Sequence, residues 1–548
     1  MEILLAFVAA IFLTAVAIPP LIRYAPVLGM VDIPDKRKIH LGAVPRSGGL
    51  AVALGFLVTL FFFSPRPGPQ IMAVVAGQII ILLFGIIDDR RGLAPWQKAL
   101  GQTVAAAVTV TGGVGIETLG NIFGTGSVPL GPLAGPASVF FIVAATNSVN
   151  LTDGLDGLAS GLGLLMFACI GLLAYSAGQV QIVVLSVCMA GAVLGFLRFN
   201  TYPATVFLGD TGSQLMGFSA GAVALMLTQP PSIYCRCLPL LILGLPLLDT
   251  LFVAVERLSQ RISPFRPDRR HFHHKLMNMG LSHQEAVITI YVVQAVFTAL
   301  AYLLRYSPDR HVLWGYTAFA LAALIVVLVS TRRGVFARPA ADGPLFLGTL
   351  RNVLLRTRIA QGARNLLCLC MALFFLVVPW LVTEYSPDIG LISLLFLAAM
   401  TAAWVRFQGT MRYVLRLSGY FMGGYLLASS ELNAAAVVIG PYSWPVASLL
   451  NAHFALMALL FITYTIGTNE RLSLTTLDGL VLVFALLVPM LPREMLTPYH
   501  LAPIVSKAIV FFVCFEPFAY RFRDRVALAR IPVMFSLVVS AIRAWLTV

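Results

Sequence analysis

Polar side chains that could carry chemistry are concentrated in a few short loops of an otherwise apolar chain. Two adjacent carboxylates, Asp88 and Asp89, directly follow the apolar run 79–87. Because a charged group near hydrocarbon is costly, such a pair marks either a functional site or an interfacial anchor. As an anchor, the two carboxylates would pair with the neighbouring Arg90 and Arg91.

A second loop, residues 147–158, carries two amides and two carboxylates at intervals of three residues. Residues three apart are neighbours on a helix surface, so the four side chains could line one face of a helical turn. The four residues are Asn147, Asn150, Asp153 and Asp156. Oxygen ligands of this kind suit Mg²⁺ rather than zinc, so the loop predicts a magnesium site.

A third loop reads Gly-Asp-Thr-Gly-Ser at residues 209–213 and leads into an apolar run. Backbone N–H groups, a hydroxyl and a carboxylate at a helix N-terminus suit a phosphate bound together with Mg²⁺. The alternative is an ordinary helix start in which Asp210 or Thr211 is the cap.

Two further loops are rich in positive charge. Segment 263–275 holds three histidines among arginines, and segment 35–49 holds lysines, arginines and a histidine. A positive field lowers histidine pKa values and repels a metal cation, so we expect anion binding rather than zinc binding. The alternative is that both loops only mark the cytoplasmic side of membrane spans. The candidate residues are Lys36, Lys38, His40, Arg269, Arg270, His271, His273 and His274.

The elements that hold these loops must be membrane-spanning helices. Of the 548 residues, 59% are hydrophobic and 11% are charged, whereas soluble domains carry about 25% charged residues. Since lipid offers the backbone no hydrogen-bond partner, we predict an all-α, polytopic transmembrane helical bundle. From the length of the apolar runs, we expect about eleven spans in the part of the chain that carries the polar loops and about seven beyond it.

We expect three regions along the chain. Residues 1–335 would form the membrane domain with the polar loops, residues 336–365 a basic cytoplasmic linker, and residues 366–548 a transmembrane extension of unknown function. The polar loops fall on one side of the membrane by span parity and contain most of the basic residues. This bias predicts that they face the cytoplasm.

Charge and cysteine usage argue against other classes of function. The loop bias accounts for the net charge of +14, so we do not expect nucleic-acid binding. Most of the seven cysteines lie in apolar runs, where Cys behaves as a small hydrophobe. Cys235 and Cys237 lie near the end of a span, and no Cys/His spacing typical of a zinc site is present. We therefore predict no cysteine metal site.

In this order, the loops resemble the polyprenyl-phosphate N-acetylhexosamine-1-phosphate transferases of glycosyltransferase family 4. The resemblance covers roughly residues 20–330. It implies a bacterial inner-membrane enzyme that transfers a sugar-1-phosphate from a UDP-N-acetylhexosamine to undecaprenyl phosphate and releases UMP. It also implies Mg²⁺, or alternatively Mn²⁺, as the cofactor. The expected partners are the two substrates and the lipid bilayer, and the chain could form a homodimer.

The resemblance implies a role for each matching residue. Asp88 and Asp89 would orient or deprotonate the lipid phosphate, and Phe207 would stack on uracil. Asp88, Asp153 and Asp210 would surround the metal ion. Four residues are expected near the metal ion and the nucleotide: Asn147, Asn150, Asp153 and Asp156. The diphosphate and the sugar are expected near Arg269, Arg270, His271, His273 and His274. The lipid phosphate is expected near Lys36, Lys38 and His40. The predicted catalytic groups are the acids at 88, 89, 153 and 156 and the histidines at 271, 273 and 274.

Two motif details favour one branch of the family. Arg90-Arg91 follows the Asp-Asp pair, and the histidine loop reads Arg-His-Phe-His-His-Lys at residues 270–275. Both forms resemble the branch that uses UDP-GlcNAc in the first membrane step of O-antigen, teichoic acid or capsule synthesis. The alternatives are the phospho-MurNAc-pentapeptide transferase of peptidoglycan synthesis and a lipid-linked sugar transporter. A transporter would place polar groups near the bilayer midplane rather than at span ends.

Overall fold

The fold is built almost entirely from helices. The computed structural model describes residues 2–32, 43–64, 67–259, 271–278, 281–333, 359–405, 411–432, 436–439, 442–467, 501–521 and 526–546. Among these residues the only strands are two short antiparallel pairs, Val31–Asp32 with Val44–Pro45 and Ala436–Ile439 with Tyr442–Pro445. The predicted all-α class is therefore confirmed.

The described residues up to 333 form one compact unit, which contains all the described polar loops. Its helices are α1 (Glu2–Leu28), α2 (Gly48–Phe63), α3 (Pro69–Arg91), α4 (Pro95–Thr111), α5 (Ala134–Thr152), α6 (Leu158–Ser176), α7 (Val180–Asn200), α8 (Gly209–Thr228), α9 (Leu238–Ile242), α10 (Gly244–Ser259), α11 (Phe272–Asn278), α12 (His283–Leu303) and α13 (Asp309–Arg333).

Helix α8 packs against both α3 and α5 at very close range. A Cβ atom at Gly85 of α3 would lie 2.6 Å from the Cα of Thr211, and one at Gly217 of α8 would lie 2.8 Å from the Cα of Thr146. Only glycine leaves room for backbones to approach this closely. The C-terminal ends of α3 and α5 therefore meet the N-terminus of α8, which is where the polar loops lie.

The described residues from 359 onward form a second compact unit. Its core is rich in buried aromatic rings, including Phe374, Phe511 and Phe515. Its helices are Ile359–Leu381, Pro387–Val405, Met411–Leu432, Val446–Gly467, Leu501–Arg521 and Val526–Leu546. Most of the predicted linker, residues 336–365, lies outside the described residues, so the three predicted domain boundaries stay a prediction.

The predicted count of about eighteen spans is not supported. Within the described residues, nine helices are long and apolar enough to cross a membrane. The prediction overcounted because hydropathy alone does not distinguish a span from a shorter packed helix. Helices α2 and α4 have 16 and 17 residues, and the apolar run 236–255, which was counted as one span, is divided into α9 and α10. The apolar run 474–492, which was also counted as a span, lies outside the described residues.

Candidate active site

A carboxylate from another helix caps the N-terminus of α8. Asp89, near the end of α3, accepts hydrogen bonds from the N–H groups of Asp210 and Thr211, both at 2.9 Å, and from the Thr211 hydroxyl at 2.6 Å. Gly209, at φ +71°, precedes them, and a Cβ atom there would lie 2.7 Å from an Asp89 oxygen. The free N–H groups and the dipole of a helix N-terminus favour a carboxylate. Asp89 therefore holds the 209–213 turn in place.

Asp88 contacts a lysine instead of the helix end. Its Oδ2 atom lies 2.5 Å from Lys98 Nζ of α4, and its Oδ1 atom accepts a hydrogen bond from the Leu93 N–H at 2.8 Å. The same Lys98 Nζ lies 3.4 Å from Asp210 Oδ1. Asp88 is only 4% exposed, so the ammonium compensates a charge that would be costly to bury alone.

Asn150 joins α5 to the same turn. Its Nδ2 group donates a hydrogen bond to Asp210 Oδ1 at 2.9 Å, and its Oδ1 atom accepts one from Ser213 Oγ at 3.0 Å. Asp210 thus receives contacts from α4 and α5 at the first turn of α8.

Asp153 follows directly after α5 and lies among other carboxylates. Its pKa is raised to about 8, first by burial and then by the negative charges of Asp210, Asp89 and Asp156. The positive charge of Arg46 acts in the opposite direction. Such an excess of negative charge is a place where a divalent cation would be stabilised.

Asp156 fixes the loop between α7 and α8. Its Oδ2 atom accepts a hydrogen bond from the Ala204 N–H at 2.9 Å. Its carbonyl oxygen lies 3.4 Å from His283 Nε2, and the His283 ring stacks on Tyr202 with centroids 4.4 Å apart. The Asp156 side chain therefore has a structural partner in addition to its proximity to Asp153.

The histidine segment is anchored to α10. His271 Nδ1 lies 2.8 Å from Asp249 Oδ2, and Asp249 Oδ1 accepts a hydrogen bond from the Phe272 N–H at 2.8 Å. His273 packs on Gly154, where a Cβ atom would lie 2.3 Å from its Nε2 atom. Burial and then the neighbouring histidines, His274 first, lower the pKa of His273 to about 3. This contact brings the predicted anion loop directly onto the acidic loop after α5.

Phe207 is held in place by its backbone. Its N–H donates a hydrogen bond to the Pro45 carbonyl at 2.8 Å, and its carbonyl accepts one from the Gly48 N–H at 3.0 Å. The side chain is half-buried. These bonds fix the segment around Arg46 against the turn that begins α8.

Comparison with known proteins places this arrangement in a family. The sequence pattern of Glycosyl transferase family 4 matches residues 71–228. The chain is 35% identical over 305 residues to the "Probable undecaprenyl-phosphate N-acetylglucosaminyl 1-phosphate transferase" of Bacillus subtilis, which covers 56% of this chain and 85% of that protein. The chain belongs to glycosyl transferase family 4.

Two further relatives agree with this membership. The "Decaprenyl-phosphate N-acetylglucosaminephosphotransferase" of Mycobacterium tuberculosis is 34% identical over 368 residues, which cover 61% of this chain and 90% of that protein. The "Undecaprenyl-phosphate alpha-N-acetylglucosaminyl 1-phosphate transferase" of Escherichia coli is 32% identical over 292 residues, which cover 52% and 79%. The predicted family, the transferase class and a multi-pass membrane protein are confirmed.

Some predicted site residues of this family member lie elsewhere or outside the described residues. α5 ends at Thr152, so the expected single helical face at 147–156 is only partly formed. Asn147 of α5 forms hydrogen bonds between helices. Its Nδ2 group donates to Gln102 Oε1 of α4 at 2.6 Å, and Gln102 in turn forms a hydrogen bond with Gln214 of α8. The residues Lys36, Lys38, His40, Arg269 and Arg270 lie outside the described residues.

Two residues that contact the predicted site residues were missed by sequence reasoning. Lys98 is the single charged residue of the apolar run 94–112, and Asp249 is the single acid of the apolar run 236–255. Each could have been noticed, because a lone charge inside an apolar run is costly and needs a partner.

The donor set fits Mg²⁺ better than a thiophilic metal ion, because it consists of carboxylate and amide oxygens. Three carboxylates, those of Asp88, Asp153 and Asp210, were expected to share the ion. Within the described residues their oxygens do not all lie within 4.8 Å of one another. Asp210 interacts electrostatically with each of the other two, so it is the common member of the cluster.

Proposed function

We propose that this transferase moves N-acetylglucosamine-1-phosphate from UDP-GlcNAc to undecaprenyl phosphate and releases UMP. The names of its relatives support both substrates. The observation that carries the proposal is the group of carboxylates from α3 and the α5 loop around the N-terminus of α8. A helix N-terminus binds phosphate groups, and added carboxylates there require a cation.

The reaction needs positioning more than proton removal. A phosphate monoester has a second pKa of about 6, so the lipid phosphate oxygen is largely deprotonated at neutral pH. That oxygen attacks the β-phosphorus of UDP-GlcNAc, a new P–O bond forms, and the bond between β-phosphorus and the bridging oxygen breaks. The bridging oxygen leaves with UMP. Catalysis of this kind is mostly alignment and charge stabilisation.

Each nearby side chain then has a separate task. Lys98 would bind a phosphate oxygen by exchanging one of its carboxylate partners, and Asp88 would orient that ammonium. Asp89 already accepts three hydrogen bonds from the start of α8, so we assign it to positioning and not to nucleophilic attack. His271 and His273 would contact the diphosphate. Mg²⁺, held by Asp210 and Asp153, would neutralise charge on the diphosphate.

We extend the proposal to the setting of the reaction. The basic loops argue that the site faces the cytoplasm of the inner membrane. The reaction would be the first membrane step in the synthesis of a cell-surface polysaccharide. A homodimer remains a prediction, which light scattering on the purified full chain would test.

Incubation of the purified full chain with labelled UDP-sugars tests the substrate assignment. UDP-GlcNAc with undecaprenyl phosphate should release UMP in Mg²⁺ and not in EDTA. UDP-GalNAc and UDP-MurNAc-pentapeptide serve as competing donors, and faster turnover of either would reassign the sugar. Asp210→Asn should abolish release while the protein keeps its thermal unfolding temperature. Normal turnover in that variant would remove the metal assignment.

A further inference from the structure

Two thiols and a carboxylate lie together at the opposite end of α8 from the proposed catalytic site. Helix α8 has 20 residues, which correspond to about 30 Å of length. Cys235 and Cys237 lie in the loop that follows it, and Asp309 begins α13. One ligand atom from each of the three lies within 4.8 Å of the others. In the part of the chain that the structure describes, no other His, Cys, Asp or Glu side chains form such a group.

Backbone groups hold the carboxylate beside the thiols. Asp309 Oδ1 accepts a hydrogen bond from the Arg236 N–H at 2.6 Å, and Oδ2 accepts one from the Asn121 N–H at 2.7 Å. A carboxylate has about four lone-pair positions, so each oxygen keeps one for a metal ion. The Cys235 N–H donates to the Arg305 carbonyl at 2.8 Å. The ligand positions are therefore fixed by the fold before any ion binds.

The thiols are buried but are not packed as ordinary apolar side chains. Cys235 and Cys237 are 5% and 8% exposed, and the Cys235 thiol contacts both the Cys237 thiol and the Asp309 carboxylate. Most buried cysteines behave as small hydrophobes with apolar neighbours. Here the three potential ligand atoms are neighbours, and the two thiols carry protons. A metal ion that binds between these atoms could replace the thiol protons.

The charge balance of the loop also suits a bound cation. Two thiolates and a carboxylate around a divalent ion would leave a single net negative charge. The guanidinium of Arg236 lies in the same loop, where its Nη1 group donates to the carbonyls of Thr228, Ser232 and Tyr234 at 2.7–2.8 Å. A fixed positive side chain in the loop would offset that charge.

We propose that Cys235, Cys237 and Asp309 bind a zinc ion. Sulfur together with carboxylate oxygen is a donor set for zinc, whereas Mg²⁺ and Ca²⁺ prefer oxygen alone. Three protein ligands leave the fourth tetrahedral position to water. The ion joins the cysteine loop to the start of α13 and, through Asp309, to the loop at Asn121. Because the ligands converge only in the folded chain, zinc binding stabilises the fold.

Metal analysis of the purified full chain tests this site. The chain, treated with one wash of a weak chelator, should carry about one zinc ion per molecule and should unfold at a lower temperature once a strong chelator removes it. The double variant Cys235→Ser/Cys237→Ser should lose the zinc. A matched control, Cys188→Ser, changes a buried thiol in the middle of α7 and should keep it.

Cadmium titration of the wild-type chain gives a second test that does not depend on a variant. Cd²⁺ bound by thiolates should produce a thiolate charge-transfer absorption that saturates near one ion per chain and is competed by Zn²⁺. No such absorption, zinc that persists in the double cysteine variant, or a Cys235–Cys237 disulfide found by mass analysis would each overturn the proposal. UMP release should stay unchanged in the double variant, because the proposed site lies at the other end of α8.

Discussion

The ammonium of Lys98 lies 2.5 Å from Asp88 Oδ2, inside the group of carboxylates at the start of α8. The same nitrogen lies 3.4 Å from Asp210 Oδ1, so one positive charge connects α3, α4 and α8. A phosphate oxygen bound here would compete with both carboxylates for this ammonium. In the free site this ammonium offsets part of the negative charge, and the substrate can recruit the same ammonium.

Replacing this ammonium should slow phosphoryl transfer. We expect Lys98→Met to lower kcat by about 100-fold or more. An effect of this size is typical when a preorganised hydrogen-bond donor to the charge that develops in the transition state is lost. Lys98→Arg should recover part of the rate, because it keeps the charge. The measurement is UMP release at saturating substrates. Thr103→Val, at an exposed position of the same helix, is the control, and an unchanged rate in Lys98→Met would exclude Lys98 from the site.

Removing the carboxylate that caps α8 should destabilise the protein. In Asp89→Asn, one oxygen becomes an NH₂ group that faces N–H donors, and an unsatisfied buried polar group costs about 1–3 kcal/mol. We expect a lower unfolding temperature in detergent together with lower activity. Glu384→Gln changes an exposed carboxylate and should leave the unfolding temperature unchanged. A variant at position 89 that is as stable as wild type would show that the cap is dispensable.

The sequence predicted which polar loops lie close together, but it did not predict the number of membrane spans. Span parity and charge bias place the acidic and basic loops on one side of the membrane. The closeness of Asp153 and Asp210 could therefore be predicted from the sequence. The pairing of Lys98 with Asp88 could not, because it depends on how α3 and α4 pack after they form. The predicted span count is not supported for a related reason. The apolar composition of α2 and α4 indicates that these helices avoid water, but it does not show whether lipid or protein surrounds them.

Asp249 should act on catalysis through His271. Its carboxylate holds His271 Nδ1 at 2.8 Å, which orients the ring and selects which nitrogen carries the proton. We expect Asp249→Asn to reduce kcat/KM by about 10-fold or more, the size of effect seen when the partner of a functional histidine is lost. A shifted pH profile would separate this role from simple misfolding. Glu256→Gln, on the same helix and paired with Lys275, should have a smaller effect, and equal effects would argue against the positioning role.

Magnesium affinity should rise with pH up to about pH 8. The pKa of Asp153 is raised to about 8 when no cation is bound, so below that pH a proton occupies the carboxylate and the cation must displace it. Apparent affinity should therefore weaken by up to about tenfold per pH unit below the pKa and level off above it. Calorimetry in buffers of different ionisation enthalpy would detect the released proton. Asp153→Asn should release none, and a pH-independent affinity in the wild type would place the cation away from Asp153.

Phe207 should contribute to nucleotide binding and little to lipid binding. Its backbone bonds to Pro45 and Gly48 do not depend on the ring, so Phe207→Ala should keep the local fold. Stacking of an aromatic ring on a base is worth about 1–3 kcal/mol, so KM for UDP-GlcNAc should rise by about tenfold or more while KM for undecaprenyl phosphate stays nearly constant. Phe207→Tyr should restore binding because it keeps the ring. If both KM values rise together, the ring supports the shape of the site and does not contact uracil.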